Sequence, residues 1–170
     1  VTHQGFTDIP DRTTILGAAK VSGKTTDGWS IAALSAFTNR EFGRVDSAGT
    51  RFEEEIEPYT FYGIIRTQKN FEESRQALGI IATIVERDTR EAQAAELLNK
   101  RAVSVGVDGW TFLDAEKNWV LTGWAGLTNV MGGRTRMLAL QQSPQHYFQK
   151  PDQDHLSIDS SATSLTGWAG

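Results

Sequence analysis

Chemistry in this chain is confined to a few places. The stretch HYFQKPDQDH at residues 146–155 holds His146, Asp152, Asp154 and His155, and imidazoles together with carboxylates are the donor set of a divalent metal site. No helical or strand spacing converges these four side chains, so solvated loop polars account for them equally well and no metal is assigned. Tyr147, Phe148 and Pro151 in the same stretch point instead to a loop that folds back and packs, which leaves His146 and Tyr147 as candidate ligand contacts. A second grouping is the hexapeptide LTGWAG, present at 121–126 and again at 165–170, which sets Trp124 and Trp168 at equivalent places. An indole on an inner face stacks on a sugar ring, although a core or membrane-girdle tryptophan is the commoner case. Neither G-x-S-x-G, H-E-x-x-H nor a P-loop occurs, and GVDGW resembles a glycine-rich loop only superficially, so neither catalytic residues nor a cofactor is expected.

The elements that must carry these residues are strands. Apolar residues recur with period two, the mark of a strand with two unlike faces, over residues 14–25, 29–39, 59–70, 77–87, 101–113 and 118–129, with a further strand opening at 164. The connections alternate strictly between short and long. TTDG, EESRQ and DAEK are turn-rich and hairpin-sized, whereas 40–58, 88–100 and 130–163 exceed ordinary hairpin loops. Within the long set, DTREAQAAELLNKR has helix-forming composition with Asp88 three residues before Glu91 as an N-terminal cap. A second short helix is expected near Arg134 to Gln142, anchored by Met137, Leu138 and Leu140. The run Glu53, Glu54, Glu55 reads most simply as an exposed loop charge cluster.

Alternating loop lengths are what an outer-membrane barrel requires, since one rim carries tight periplasmic turns and the other extended surface loops. Aromatics follow the same division: Trp29, Phe71, Trp110, Phe112 and Trp119 lie beside the short turns, and Phe37, Phe42, Tyr59, Phe61 and Tyr62 near the long loops, as two girdles. In the second strand Trp29, Ile31, Ala33 and Phe37 share the face that should meet lipid. In the first, Ile15, Gly17, Ala19 and Val21 oppose Lys20, Ser22 and Lys24; in the fifth, Val103, Val105 and Val107 oppose Ser104, Gly106 and Asp108. Charges are thereby expected to point inward. The third strand carries Arg66 on one face and Lys69 on the other, and its register stays open.

Composition narrows the classes. With 170 residues, a net charge of −4 and Lys and Arg scattered among acids, the chain lacks the basic stripe of a nucleic-acid binder. No cysteine is present, which removes disulfides and thiolate chemistry. No run of roughly 18 apolar residues occurs, so no transmembrane helix is expected, while a barrel with its ~10-residue strands stays open.

The stretches TTILGAAKVSGKTTDGWSIAAL, IEPYTFYGIIRTQKNF, NKRAVSVGVDGW, YFQKPDQDHLSID and SLTGWAG, in this order and over nearly the whole chain, resemble the C-terminal domain of a bacterial family. Its members carry an N-terminal family 9 carbohydrate-binding-type domain, and the C-terminal part is a domain of unknown function thought to be an outer-membrane β-barrel. The resemblance implies a Gram-negative outer membrane, a barrel larger than this piece and a link to glycans; it implies no catalytic residues. The resulting expectation is an all-β, antiparallel up-and-down meander forming part of a transmembrane β-barrel, with residues 1–170 a fragment truncated at both ends. Its partners would be outer-membrane lipid and a small-molecule or oligosaccharide ligand bound or transported, with Trp124, Trp168, Tyr147 and His146 as candidate contacts. A soluble glycan-binding β-sandwich is the alternative, and an enzyme associated with the outer membrane the third.

Overall fold

The computed structural model describes residues 6–47, 49–71, 75–89, 92–143 and 157–170. Ten strands and two helices follow in chain order: β1 (Phe6–Asp8), β2 (Ile15–Lys24), β3 (Trp29–Thr38), β4 (Glu41–Ser47), β5 (Thr50–Glu57), β6 (Thr60–Phe71), β7 (Gln76–Arg87), α1 (Ala92–Leu97), β8 (Asn99–Phe112), β9 (Val120–Gly132), α2 (Arg134–Gln141) and β10 (Ser164–Ala169). The chain is all-β and antiparallel. Seven strands form one open sheet in the order β10-β9-β8-β7-β6-β3-β2, a meander in which each strand pairs with the next except where β4 and β5 intervene. β1, β4 and β5 make a separate three-stranded sheet.

The seven expected strands are therefore all present, with ends displaced by three residues at most. The expected loop at 40–58 is instead the β4–β5 hairpin. Its alternation is hidden in the sequence because the strands EFGRVDS and TRFEEEIE place charges on both faces. Of the supposed exposed acidic cluster only part is exposed: the Glu55 side chain is 2% accessible and pairs with Arg40, whereas Glu53 faces solvent.

Short and long connections do segregate. The turn at 25–28 is closed by the Thr25 hydroxyl, which accepts the Trp29 N–H at 3.1 Å and donates to Asp27. In the turn after β8, the Asp114 carboxylate accepts the N–H groups of Trp119 (2.9 Å) and Asn118 (3.0 Å), an Asx-type closure that lets Lys117 take φ 62°. The Trp119 N–H, opposed in part by desolvation and aided by Asn118, holds the Asp114 pKa below its ordinary value.

At the other end the long connections build a cap, and most of the buried side chains lie there: Thr38, Pro58, Thr60, Ala94 and Met137. Both expected helices exist. α1 is confined to Ala92–Leu97, because NKR already belongs to β8; Asp88, expected as its cap, accepts Arg40, and its expected partner Glu91 lies outside the described residues. α2 begins directly against α1, at Gly133, where a β-carbon would come within 2.8 Å of the Ala95 carbonyl oxygen. Gln141 at its end exchanges two hydrogen bonds of 2.9 Å with the Asp159 backbone, so the far side of the longest connection is fastened to the helix. Arg40 fastens the root of the hairpin: it reaches Glu55 and Asp88 (2.8 Å) and lies 5.0 Å from the centre of the Tyr59 ring. Burial works against its charge, and the two carboxylates outweigh that, raising its pKa.

Candidate functional site

Strand register decides what each face of the large sheet offers, because directly paired residues point to the same side. One row runs Val21, Ala33, Ile65, Ala82, Val105, Leu127, Trp168 across all seven strands. The rows beside it add Ile31, Ile80, Val107, Ile84 and Val103. This face is bounded at the short-turn end by Trp29 and Phe71 and at the other by Phe37 and Phe61, whose rings lie 4.8 Å apart. Charges appear on it only at its margins: Lys69 beside Trp29, and the pair Glu86–Arg101 next to Phe61. Among the described residues no second layer covers it, and side chains at its centre stay open, Ile65 at 47% and Leu127 at 60%.

The expected faces of the second and fifth strands agree with this register, and the open register of the third is resolved: Ile65 and Lys69 join the apolar side, Arg66 the other. Two expectations are corrected. A β-bulge between Ile15 and Gly17 brings Ile15 opposite Thr38, out of the apolar row. Trp110, Phe112 and Tyr62 lie on the polar side, so they do not belong to girdles on the apolar face; Trp110 and Phe112 instead meet edge to face at 5.3 Å.

The polar face carries the more elaborate chemistry. Arg66 on β6 reaches over β7 to Asp108 on β8, in a two-pronged ion pair whose second prong is 2.8 Å. The reach is possible because Gly79 lies beneath it: a β-carbon there would fall 2.7 Å from the guanidinium carbon. Arg66 also touches Gln68, whose amide donates to Asn70 at 3.1 Å. One transverse row thus holds Lys24, Ser30, Gln68, Gly79, Asp108 and Trp124. Fixed amide, carboxylate and guanidinium groups beside an open indole form a surface able to hold a polar solute by hydrogen bonds and ring stacking.

The candidate contacts separate accordingly. Trp124, 63% accessible, sits next to Asp108 on the polar face. Trp168, 82% accessible, sits opposite Leu127 on the apolar face. The two copies of LTGWAG lie in neighbouring antiparallel strands whose register offsets them, so equivalent tryptophans emerge on opposite sides, Trp124 beside Asp108 and Trp168 beside Leu127. His146 and Tyr147, like the rest of HYFQKPDQDH, lie outside the described residues. Among the described residues no cluster of three or more His, Asp or Glu is arranged to hold a metal ion. The Arg66–Asp108 pair was missed in the sequence because its members are far apart along the chain; an isolated glycine inside the strand LGIIATIV was the available signal.

A family model described as a domain of unknown function (DUF5916) matches residues 1–105. No curated protein and no solved structure matches the chain.

Proposed function

We propose, given that the chain belongs to the DUF5916 family, that its seven-stranded sheet is part of the wall of a β-barrel in a bacterial outer membrane. The barrel would serve the binding or passage of a small polar solute. The observation that carries this reading is the wide apolar face that no layer covers among the described residues, backed by a face that carries the Arg66–Asp108 ion pair and the amides beside it along with Leu34 and Ile64. A water-soluble domain rarely leaves so large an apolar patch bare, whereas lipid on one side and a watery interior on the other call for this division.

Dimensions support it as well. Eight residues separate Trp29 from Phe37, which at about 3.4 Å per residue and a tilt of about 40° gives roughly 20 Å along the membrane normal, near the ~25 Å band of such barrels. Short turns would face the periplasm and the α1, α2 and β4–β5 cap the outside. The resemblance to proteins with a family 9 carbohydrate-binding-type domain favours a glycan fragment as the solute, with Trp124 as its stacking surface.

A soluble glycan-binding sandwich is the second reading, and Trp124 would serve it equally. It requires a second sheet over Ile31, Ile65 and Leu127, yet the three-stranded sheet leaves these residues open. Electrophoresis of the full-length protein in SDS with and without boiling separates the two. A closed barrel is expected to change mobility on heating and to need detergent for extraction; complete extraction in aqueous buffer alone refutes the barrel.

A further inference from the structure

The charges of the polar face are not balanced. Strand by strand, the residues whose side is fixed by register are Lys20 and Lys24 on β2, Arg66 on β6, Arg87 on β7 and Asp108 on β8, with no charged residue on that face of β3, β9 or β10. Lys100 lies in the β8 bulge. Four cations thus stand against one anion, in a chain whose net charge is −4. The single carboxylate is also spent, since Asp108 grips Arg66. Lys20 and Lys24 have no ion-pair or hydrogen-bond partner among the described residues, and both are exposed.

Of the nearest carboxylates, Asp27 in the β2–β3 turn is engaged by Thr25 and by Lys69 of the other face, and Asp108 is distant. Lys24 and Asp108 share a transverse row, but four strand spacings of about 4.8 Å put them roughly 19 Å apart, beyond the ~8 Å screening length at physiological salt. Lys20 and Lys24 are about 14 Å apart along β2. Around Lys24 the surface is small and hydroxylated, since Ser22 separates the two lysines, Ser30 faces Lys24 and Ala32 faces Ser22, whereas Lys20 faces Leu34 with Ile64 beyond it. Two free ammonium groups, with the Ser22 and Ser30 hydroxyls beside Lys24, constitute an anion-accepting surface, and charged Lys or Arg side chains along a pore wall select anions.

From this we infer that the β2–β3 part of the polar face recruits anionic solutes, those bearing carboxylate, sulfate or phosphate, through Lys20 and Lys24. The inference rests on the barrel reading and deepens it by stating the charge class of the solute. The test is the reversal potential of the full-length protein in a planar lipid bilayer under a KCl gradient. Chloride is expected to permeate more readily than potassium, the preference shrinking between 0.1 M and 1 M salt as the screening length falls from about 10 Å to about 3 Å. The double variant K20Q/K24Q should bring the permeability ratio to about unity, K20R/K24R should keep it, and the single variant K24Q should remove about half of the preference.

A conducting protein without anion preference, or one whose preference is unchanged in K20Q/K24Q and K24Q, overturns the inference while leaving the barrel standing. Absence of conductance together with absence of a heat-dependent mobility shift overturns the barrel reading, and the inference with it.

Discussion

Replacing Ala82 by Arg, beside the same replacement of Thr83, isolates the face from every other variable. Both residues lie on β7, the central strand of the seven, one position apart and so at nearly the same depth. Ala82 points to the apolar side between Ile65 and Val105; Thr83 points to the polar side between Ile64 and Ser104, with no charge directly opposite. Four residues separate the Ala82 row from the bounding row of Trp29 and Leu78, and four from that of Phe37 and Glu86. Each interval is about 14 Å along the strand, or about 10 Å along the normal after a ~40° tilt. Ala82 therefore lies near the middle of the band, where Arg on a lipid face costs about 2–4 kcal/mol, a factor of roughly 30 to 700 in the folding equilibrium at 1.4 kcal/mol per tenfold. Thr83→Arg, with its guanidinium in water, should cost under about 1 kcal/mol. Denaturant titration of the full-length protein folded into lipid vesicles reads both values. Equal costs, or a larger one at Thr83, refute the assignment of faces; two costs within about 0.5 kcal/mol of zero are what an exposed soluble surface gives.

The cap yields two more predictions. Arg40→Ala strands the nearly inaccessible Glu55 carboxylate without its partner, and breaking a buried pair in this way should cost about 3–5 kcal/mol; faster hydrogen exchange confined to β4 and β5 would mark the site, and an unchanged exchange pattern would contradict the clamp. In the turn after β8, the depressed Asp114 pKa means that the carboxylate's contribution is present above the unfolded value of about 3.9 and is lost as pH falls through the lower folded value. The backbone N–H resonances of Asn118 and Trp119 should therefore shift with that acid titration in the natural protein and remain flat over the same range in Asp114→Ala.

What could be read before any fold was known was local. Residues 29–39 and 77–87 are apolar, strand-length runs that begin just after TTDG and EESRQ, so the strands and their turns follow from patterns a few residues long. α2 was legible through its apolar anchors Met137, Leu138 and Leu140, which mark an ordered segment within the long connection. β4 and β5 were not, since the pairing that makes them strands brings Arg44 against Glu53 and Asp46 against Arg51, a complementarity invisible within either strand alone. The opposite fates of Trp124 and Trp168 turn on register between neighbours, which a hexapeptide does not encode. Arg66 and Asp108 required knowing that Gly79 stands between them.

The β4–β5 hairpin changes how the large sheet can assemble. Pairing β3 with β6 must close a connection of about twenty residues, which as a floppy loop would cost about 1.5 kcal/mol more chain entropy than a four-residue turn. A hairpin folded within that connection brings its own ends together first, so that β6 arrives beside β3 as though from a much shorter tether. The Arg40 contacts to Glu55 and Asp88 then join both ends of the excursion to the end of β7, so the meander meets no long closure between β3 and β6. Shortening this excursion to a tight turn should speed the joining of the two halves far less than its length suggests, while deleting one arm of the hairpin should slow it.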